Sequence, residues 1–283
     1  MLRRTFLTLG RVQTPLLSVI CKRFIANRDF VKKDYYVISM MFDGIKFTLK
    51  TNAGMDGTDE SGRIINKSVA QRIIDDLNRL KDGKVTLFEK KEEKTNPPLP
   101  FDLPSIQSEM SSRFGLSVAD TTAACQTLYE KKMQTYIGTD CRYIPTSMKL
   151  DVKDIITEIH KNRDYARFAE GANLSLTSAA WDDSKISAHH AIIPTTVMAG
   201  YSNEAEKIVH GAVVARYLAQ FYPPSIHERQ NIEISIGDYQ MTSTNKELLS
   251  AGWMAVEKNL EIDDADKEDE LASKKSLLKE LNQ

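Results

Sequence analysis

The stretch DYYVISMMFDGIKFTLKT, residues 34–51, decides how the rest of the chain is read. Tyr, Val, Ile, Phe and Thr dominate it, and Asp43-Gly44 splits it in half. Asp-Gly between two β-rich runs is the strongest short hairpin signal, because both central residues of the tight turn need positive φ. Two strands are expected here. Far along the chain, NIEISIGDYQMTST (231–244) alternates apolar and polar residues around Gly237-Asp238, which reads as a second hairpin. Between them the pattern turns helical: Ser105 to Phe114, Ser117 to Lys132 behind a Ser117-Val118-Ala119-Asp120 cap, Val152 to Lys161, and Asn203 to Tyr222 up to Pro223-Pro224. Strand block, helical block, strand block is the order of a helical domain inserted into a β-rich one, whose flanking strands complete one sheet.

Next to the first hairpin, Asn52 to Gly62 is a Gly/Asp/Thr loop. Ser68 to Leu80 then sets Val69, Ile73, Ile74, Leu77 and Leu80 on one helical face, closed by Asp82-Gly83. Lys84 to Glu89 reads as a strand. Glu89 to Lys94 is pure charge, followed by the stiff break Asn96-Pro97-Pro98-Leu99-Pro100, where one structural unit should hand over to the next. Ahead of the hairpin, Pro15 followed by Leu16, Leu17, Val19, Ile20 and Phe24 reads as a helix entered at its N-terminus.

The 283 residues are 41% hydrophobic and 27% charged, with 13 Gly and 9 Pro, which disfavours disorder, collagen-like repeats and disulfide scaffolds. No span approaches the ~18 apolar residues of a membrane helix. Cys21, Cys125 and Cys141 are far apart and odd in number, with no C-x-x-C and no zinc spacing, so reduced thiols are expected. The formal net charge of −1 hides an uneven division. Residues 1–33 hold eight Lys/Arg against one acid, and residues 261–283 hold eight acids against four lysines. The basic start suits a nucleic-acid surface, and the acidic end suits a solvated tail. The Arg-rich, acid-free first 28 residues also have the composition of a mitochondrial transit peptide.

Three segments hold candidate chemistry. Thr135-Tyr136-Ile137-Gly138-Thr139-Asp140-Cys141-Arg142-Tyr143-Ile144-Pro145 is by composition a polar loop between helices, and most tyrosines in such loops are half-buried with a satisfied hydroxyl. His189-His190-Ala191-Ile192-Ile193-Pro194-Thr195 pairs two histidines that point to different sides, a poor chelate for one metal, so a structural or acid/base role fits better than zinc. Gly10-Arg11-Val12-Gln13-Thr14-Pro15 is a helix N-terminus beside a cation, a place where phosphate binds readily.

The order and spelling of these strings resemble the type IA DNA topoisomerases, most of all bacterial topoisomerase III and its plasmid-borne relatives. Gly10 to Pro15 is similar to that family's strand-binding segment, and Phe30-Val31-Lys32-Lys33-Asp34-Tyr35-Tyr36 resembles the entry into its arch. Pro97-Pro98-Leu99-Pro100-Phe101 with Phe114-Gly115-Leu116-Ser117 resembles the passage into its nucleophile domain. Leu128-Tyr129-Glu130-Lys131, Thr135-Tyr136 and Asp140 to Pro145 are similar to its active-site signature, and His189 to Thr195 to its histidine motif. The match runs in register from about Leu7 to Trp253 and sets aside the transit-peptide reading, since cleavage would remove a family motif.

The resemblance implies a multidomain α+β fold, a β-rich arch with an inserted helical nucleophile-bearing domain, in a truncated type IA core. The expected divisions are 1–33, a partial strand-binding helical domain; 34–95, the first part of the arch; 96–202, the helical domain with the tyrosine; 203–257, the return helix and arch strands; and 258–283, a charged tail. Tyr136 becomes the nucleophile that attacks a backbone phosphate of single-stranded DNA to form a 5′-phosphotyrosyl bond, with His189 near the scissile phosphate. Thr8, Leu9, Gly10, Arg11, Val12 and Gln13 hold the strand, and Arg142 and His190 add DNA contacts.

Two departures stand out. Family members commonly carry an arginine two residues after the nucleophile, and here that position is Gly138, leaving Arg142 as the nearest cation in sequence. Losing a positioned cation from such a site costs on the order of several kcal/mol of transition-state stabilisation. The resemblance also implies a Toprim domain, whose carboxylates bind Mg2+ in the family and which is expected to lie outside this stretch, and Asp264-Ala265-Asp266 in the tail, with no apolar strand before it, is a poor substitute. The expectation is therefore no metal site in this chain and a separate Toprim-containing chain as partner, with single-stranded DNA as substrate, no membrane, and a bacterial cytoplasmic location. A non-catalytic single-strand-binding module and a decayed fragment remain the alternatives.

Overall fold

The computed structural model describes residues 10–80, 82–186 and 188–257. In chain order the elements are helix α1 (Gln13–Arg28), strands β1 (Ser39–Phe42) and β2 (Ile45–Leu49), helix α2 (Lys67–Arg79), strand β3 (Lys84–Thr95), helices α3 (Leu103–Phe114), α4 (Val118–Glu130), α5 (Val152–His160), α6 (Ala166–Glu170) and α7 (Glu204–Leu218), strands β4 (Ser225–Ile236) and β5 (Tyr239–Ser250), and helix α8 (Met254–Glu257). Strands bracket helices, and the fold is mixed α+β. The strands form one antiparallel sheet in the order β1-β2-β5-β4-β3, so the two hairpins expected from sequence meet where β2 pairs with β5 through Thr48↔Thr242 and Leu49↔Met241. The described chain divides into two compact units, 10–87 with 232–243 and 88–231 with 244–257.

In the first unit, Asp43 (φ 49°) and Gly44 (φ 75°) take the positive φ that a tight hairpin turn requires, and Phe42 pairs with Ile45 across it. Asn66 caps α2, accepting from the Ser68 amide at 2.9 Å. Val69 and Ile73 are buried with Ile38, Phe47, Leu49, Ile64, Ile234 and Met241. Ile74 and Leu80 are exposed, correcting the single face expected for them: at 100° per residue Ile74 turns away from the Val69-Ile73-Leu77 stripe, and Leu80 lies in extended backbone past the helix end at Arg79. Helix α1 forms as expected but buries no residue. The charged run after Glu89 also differs from expectation, because β3 continues through it to Thr95. It lies at a sheet edge, and opposite charges face it: Lys90 meets Glu228 at 3.5 Å, and Glu93 meets Arg229 at 3.5 Å and Lys246 at 3.8 Å. Charge on an edge strand also discourages pairing with foreign strands.

The second unit is built on α7, which is buried along most of its length. Val209, Ala212 and Val213 pack with Phe101, Ile106, Met110, Cys125, Leu128, Met133 and Ile192. Val214, Ala215, Tyr217 and Leu218 pack with Ile144, Ile155, Ile159, Trp181 and Ile193. Asp102 and Ser105 make a reciprocal capping box on α3, which ends at Gly115 in the left-handed region (φ 66°). The proline break is tied down by side chains. Gln220 donates to the Pro98 carbonyl at 2.8 Å, Arg142 to the carbonyls of Leu99 (2.8 Å) and Pro100 (2.9 Å), and Arg216 to Leu99 at 3.3 Å. Prolines donate no backbone hydrogen, so these carbonyls are held by side chains in place of a strand partner.

Candidate active site

The site begins where α4 stops. Lys132 enters the left-handed region (φ 62°), and the Met133 amide returns to the Leu128 carbonyl at 2.9 Å, turning the chain out of the helix. The next three residues are stitched to a segment almost sixty positions away. The Thr195 amide donates to the Met133 carbonyl at 3.1 Å, Gln134 bridges Pro194, and the Thr135 amide donates to the Ile193 carbonyl at 3.0 Å. The Thr135 hydroxyl donates to the Ala191 carbonyl and accepts from the Ile193 amide, both at 3.0 Å. This short ladder places Tyr136 beside the histidine pair.

The Tyr136 ring lies 4.8 Å from the His189 ring, tilted by 51°, and takes the Tyr129 ring edge-on at 5.5 Å. Tyr136 is 43% exposed, whereas its neighbour Ile137 is buried in the core and anchors the loop. The Thr139 hydroxyl accepts from the Cys141 amide at 3.0 Å, and the Thr139 carbonyl accepts from Leu103 at 3.2 Å. A half-exposed phenol fixed at its root and flanked by an imidazole is an arrangement that can present an oxygen nucleophile.

A family model described as DNA topoisomerase matches residues 1–281. The chain is a member of that family. DNA topoisomerase 3 of Vibrio cholerae is 32% identical over 262 residues, covering 87% of this chain and 40% of the relative. DNA topoisomerase 3 of Salmonella typhimurium is 31% identical, covering 87% and 39%. Full-length topoisomerase I of Thermotoga maritima superimposes with a TM-score of 0.65 at 25% identity, covering 90% of this chain and 41% of that one. This is a type IA topoisomerase core that resembles bacterial topoisomerase III, and it spans about 40% of the length of the relatives it matches.

Within this topoisomerase core the expected site residues fall in different places. Tyr136 and His189 lie together. His190 is part-buried, with its Nδ1–H donating to the Ala191 carbonyl at 2.8 Å. The Arg142 guanidinium is occupied by the Leu99 and Pro100 carbonyls. Gly10, Arg11, Val12 and Gln13 belong to the first unit, at the start of α1, where the Gly10 amide donates to the Thr14 hydroxyl at 3.1 Å. Thr8 and Leu9 lie outside the described residues, as does the tail with Asp264 and Asp266.

Sequence reasoning missed the polar layer behind the loop. His210, buried on α7, donates from Nε2 to the Met133 carbonyl at 3.3 Å and accepts the Tyr201 hydroxyl on Nδ1 at 2.9 Å. Burial pushes its imidazole down to about 4, so it is neutral in the fold. Lys131 donates to Glu206 (2.6 Å), Ser202 (2.8 Å) and Gly200 (3.0 Å), and it holds the Glu206 carboxyl below its ordinary range. The Asn203-x-x-Glu206 spacing carried a readable sign of this, since Asn203 caps α7 by accepting from the Glu206 amide at 2.9 Å. Among the described residues no group of three or more His, Cys, Asp or Glu is arranged to hold a metal ion.

Proposed function

We propose that this chain carries the strand-cleaving nucleophile of a type IA topoisomerase and acts on single-stranded DNA. The observation that carries the reading is the Thr135 stitch, which holds an exposed Tyr136 phenol against His189. The Tyr136 Oη attacks a backbone phosphorus. The O–P bond to tyrosine forms as the bond from phosphorus to the DNA 3′ oxygen breaks, the phenolic proton is lost, and the 3′ oxygen takes up a proton. Reversal reseals the strand without ATP, because a phenol, with an ordinary pKa near 10, is a good leaving group. His189 stands where it assists this proton traffic or contacts the phosphate.

Gly10 to Gln13 and the N-terminus of α1 would grip the backbone, with Arg11 and Gln13 on phosphates and Thr8 and Leu9 just ahead. In this reading residues 34–95 and 203–257 form the arch and 96–202 the helical domain. Magnesium and its carboxylates would come from a Toprim-containing chain. A second reading, a non-catalytic single-strand-binding module, draws support from Gly138 and from the occupation of Arg142 by the Leu99 and Pro100 carbonyls, which together leave the loop's expected cation positions unfilled.

The test is to incubate the chain with end-labelled single-stranded DNA, with and without Mg2+ and a separately expressed Toprim domain, and to trap with detergent. A covalent adduct that forms only with the added domain and vanishes in Tyr136→Phe is expected. DNA binding with no adduct under any condition would favour the binding module.

A further inference from the structure

Tyr136 meets two aromatic rings, and they come from separate parts of the second unit. His189 arrives on the segment stitched to Thr135. Tyr129 arrives from the last turn of α4, its ring 5.5 Å from that of Tyr136 and inclined by 72°, the edge-to-face arrangement that aromatic pairs prefer. The helix end that carries Tyr129 is well fixed. Leu128 beside it is fully buried in the core, and the Lys132 amide donates to the Tyr129 carbonyl at 2.8 Å as the chain turns out of the helix. Lys131 is clamped to the buried Glu206 carboxylate at 2.6 Å, which ties the end of α4 to the start of α7. Tyr129 itself is 39% exposed, so the packing of the core does not account for its ring. A half-exposed tyrosine has several staggered χ1 positions open to it. Contacts to two rings held on separate segments favour the one that meets both.

We propose that Tyr129 is a positioning residue for Tyr136: its ring edge, carried by the fixed end of α4, keeps the phenol in the orientation that meets His189. The consequence for cleavage rests on the nucleophile reading above; the orientation of the ring does not. The contact is between rings, so phenylalanine at 129 preserves it and a side chain without a ring removes it. One aromatic pair is strong enough to change the population of the held orientation by about threefold to tenfold. Alanine is the best helix former and the position is half-exposed, so Tyr129→Ala keeps the helix. Tyr129→Gln serves as a second variant without a ring.

The test uses the whole chain, deuterated except at its Tyr and His rings, as wild type, Tyr129→Phe, Tyr129→Ala and Tyr129→Gln. A nuclear Overhauser cross-peak between the Tyr136 and His189 rings, identified by its absence in Tyr136→Phe, is expected in wild type and Tyr129→Phe and is expected to weaken in the two ring-free variants. With the Toprim domain supplied and DNA saturating, the single-turnover rate of adduct formation is expected to fall by about threefold to tenfold in those two variants. Tyr129→Phe is expected to keep the wild-type rate, and DNA affinity to stay unchanged throughout. A cross-peak absent from wild type, or at full strength in the ring-free variants, overturns the proposal. A weakened cross-peak with an unchanged adduct rate overturns its bearing on cleavage. Lost DNA affinity with the saturated rate intact would assign Tyr129 to stacking on a base, and a Tyr129→Phe as slow as Tyr129→Ala would assign the effect to the hydroxyl; either result overturns the positioning role. Absence of adduct from the wild type strikes the nucleophile reading alone, and the cross-peak then decides the orientation by itself.

Discussion

His210 shows how a single side chain couples the site to pH. It sits 1% exposed beneath the loop, bonded to the Met133 carbonyl that also receives the Thr195 amide. In the unfolded chain an imidazole takes up its proton near pH 6.5, but here burial delays that to about 4. Between those values the unfolded chain binds the extra proton, so stability is full above about pH 6.5 and falls as the pH is lowered towards 4, by about 3 kcal/mol at most. Urea unfolding at pH 7.5 and pH 4.5 should register this loss, and His210→Gln should lose less of its own stability over the same interval than the wild type. Equal pH dependence in the two proteins would count against a buried neutral His210. The Tyr136-to-His189 juxtaposition is likewise a residue-scale fact. Its members were nameable from the strings Thr135-Tyr136 and His189-His190, but their 4.8 Å approach depends on the Thr135 hydroxyl reaching across to residues 191–193.

Among the elements, turns and edges divide the fold into what local sequence states and what it conceals. The Asp43-Gly44 hairpin and the Ser117 cap are local chemistry and read directly from neighbouring residues. The turn after β5 is different. Gly252 has φ 49°, and a Cβ there would sit 2.5 Å from the Pro224 carbonyl oxygen, while the adjoining Trp253 indole donates to the Thr95 carbonyl at 2.9 Å. Both the backbone conformation and the space forbid a side chain, and the obstacle is backbone that cannot swing aside. Gly252→Ala should therefore cost about 2 kcal/mol or more in chemical denaturation. A loss below about 0.5 kcal/mol would show that the turn relaxes. Strand β3 misled for a related reason: Glu89 to Lys94 is solvated charge by composition, and only its neighbour β4, with Lys246 of β5, supplies the partners that hold it as an edge strand.

At the scale of the whole molecule, α1 is the outlier. Leu16, Leu17, Val19, Ile20, Phe24 and Ile25 are all exposed and spread around the helix among Lys22, Arg23 and Arg28. Apolar side chains are ordinarily buried, and exposed in this number on one helix they drive association. Leu16→Glu combined with Phe24→Glu should leave the free energy of unfolding within about 0.5 kcal/mol of wild type, as for surface substitutions, while lowering self-association in sedimentation velocity. A marked loss of stability would mean that α1 is packed in solution. Among the described residues no helix is long and apolar enough to cross a membrane, so the exposure of α1 is not that of a spanning segment.

The sequence by itself determined the two hairpins, the helices with their caps, the strand-helix-strand order and the family, because each rests on residues close together in the chain or on strings long enough to be specific. Only the tertiary structure decided which charges make an edge strand, that Arg142 holds the proline break, and that His210 and Glu206 back the loop. Those depend on pairs separated by tens of residues, such as Arg142 with Leu99 or Thr135 with Ile193, and on buried space that no local pattern of residue types encodes.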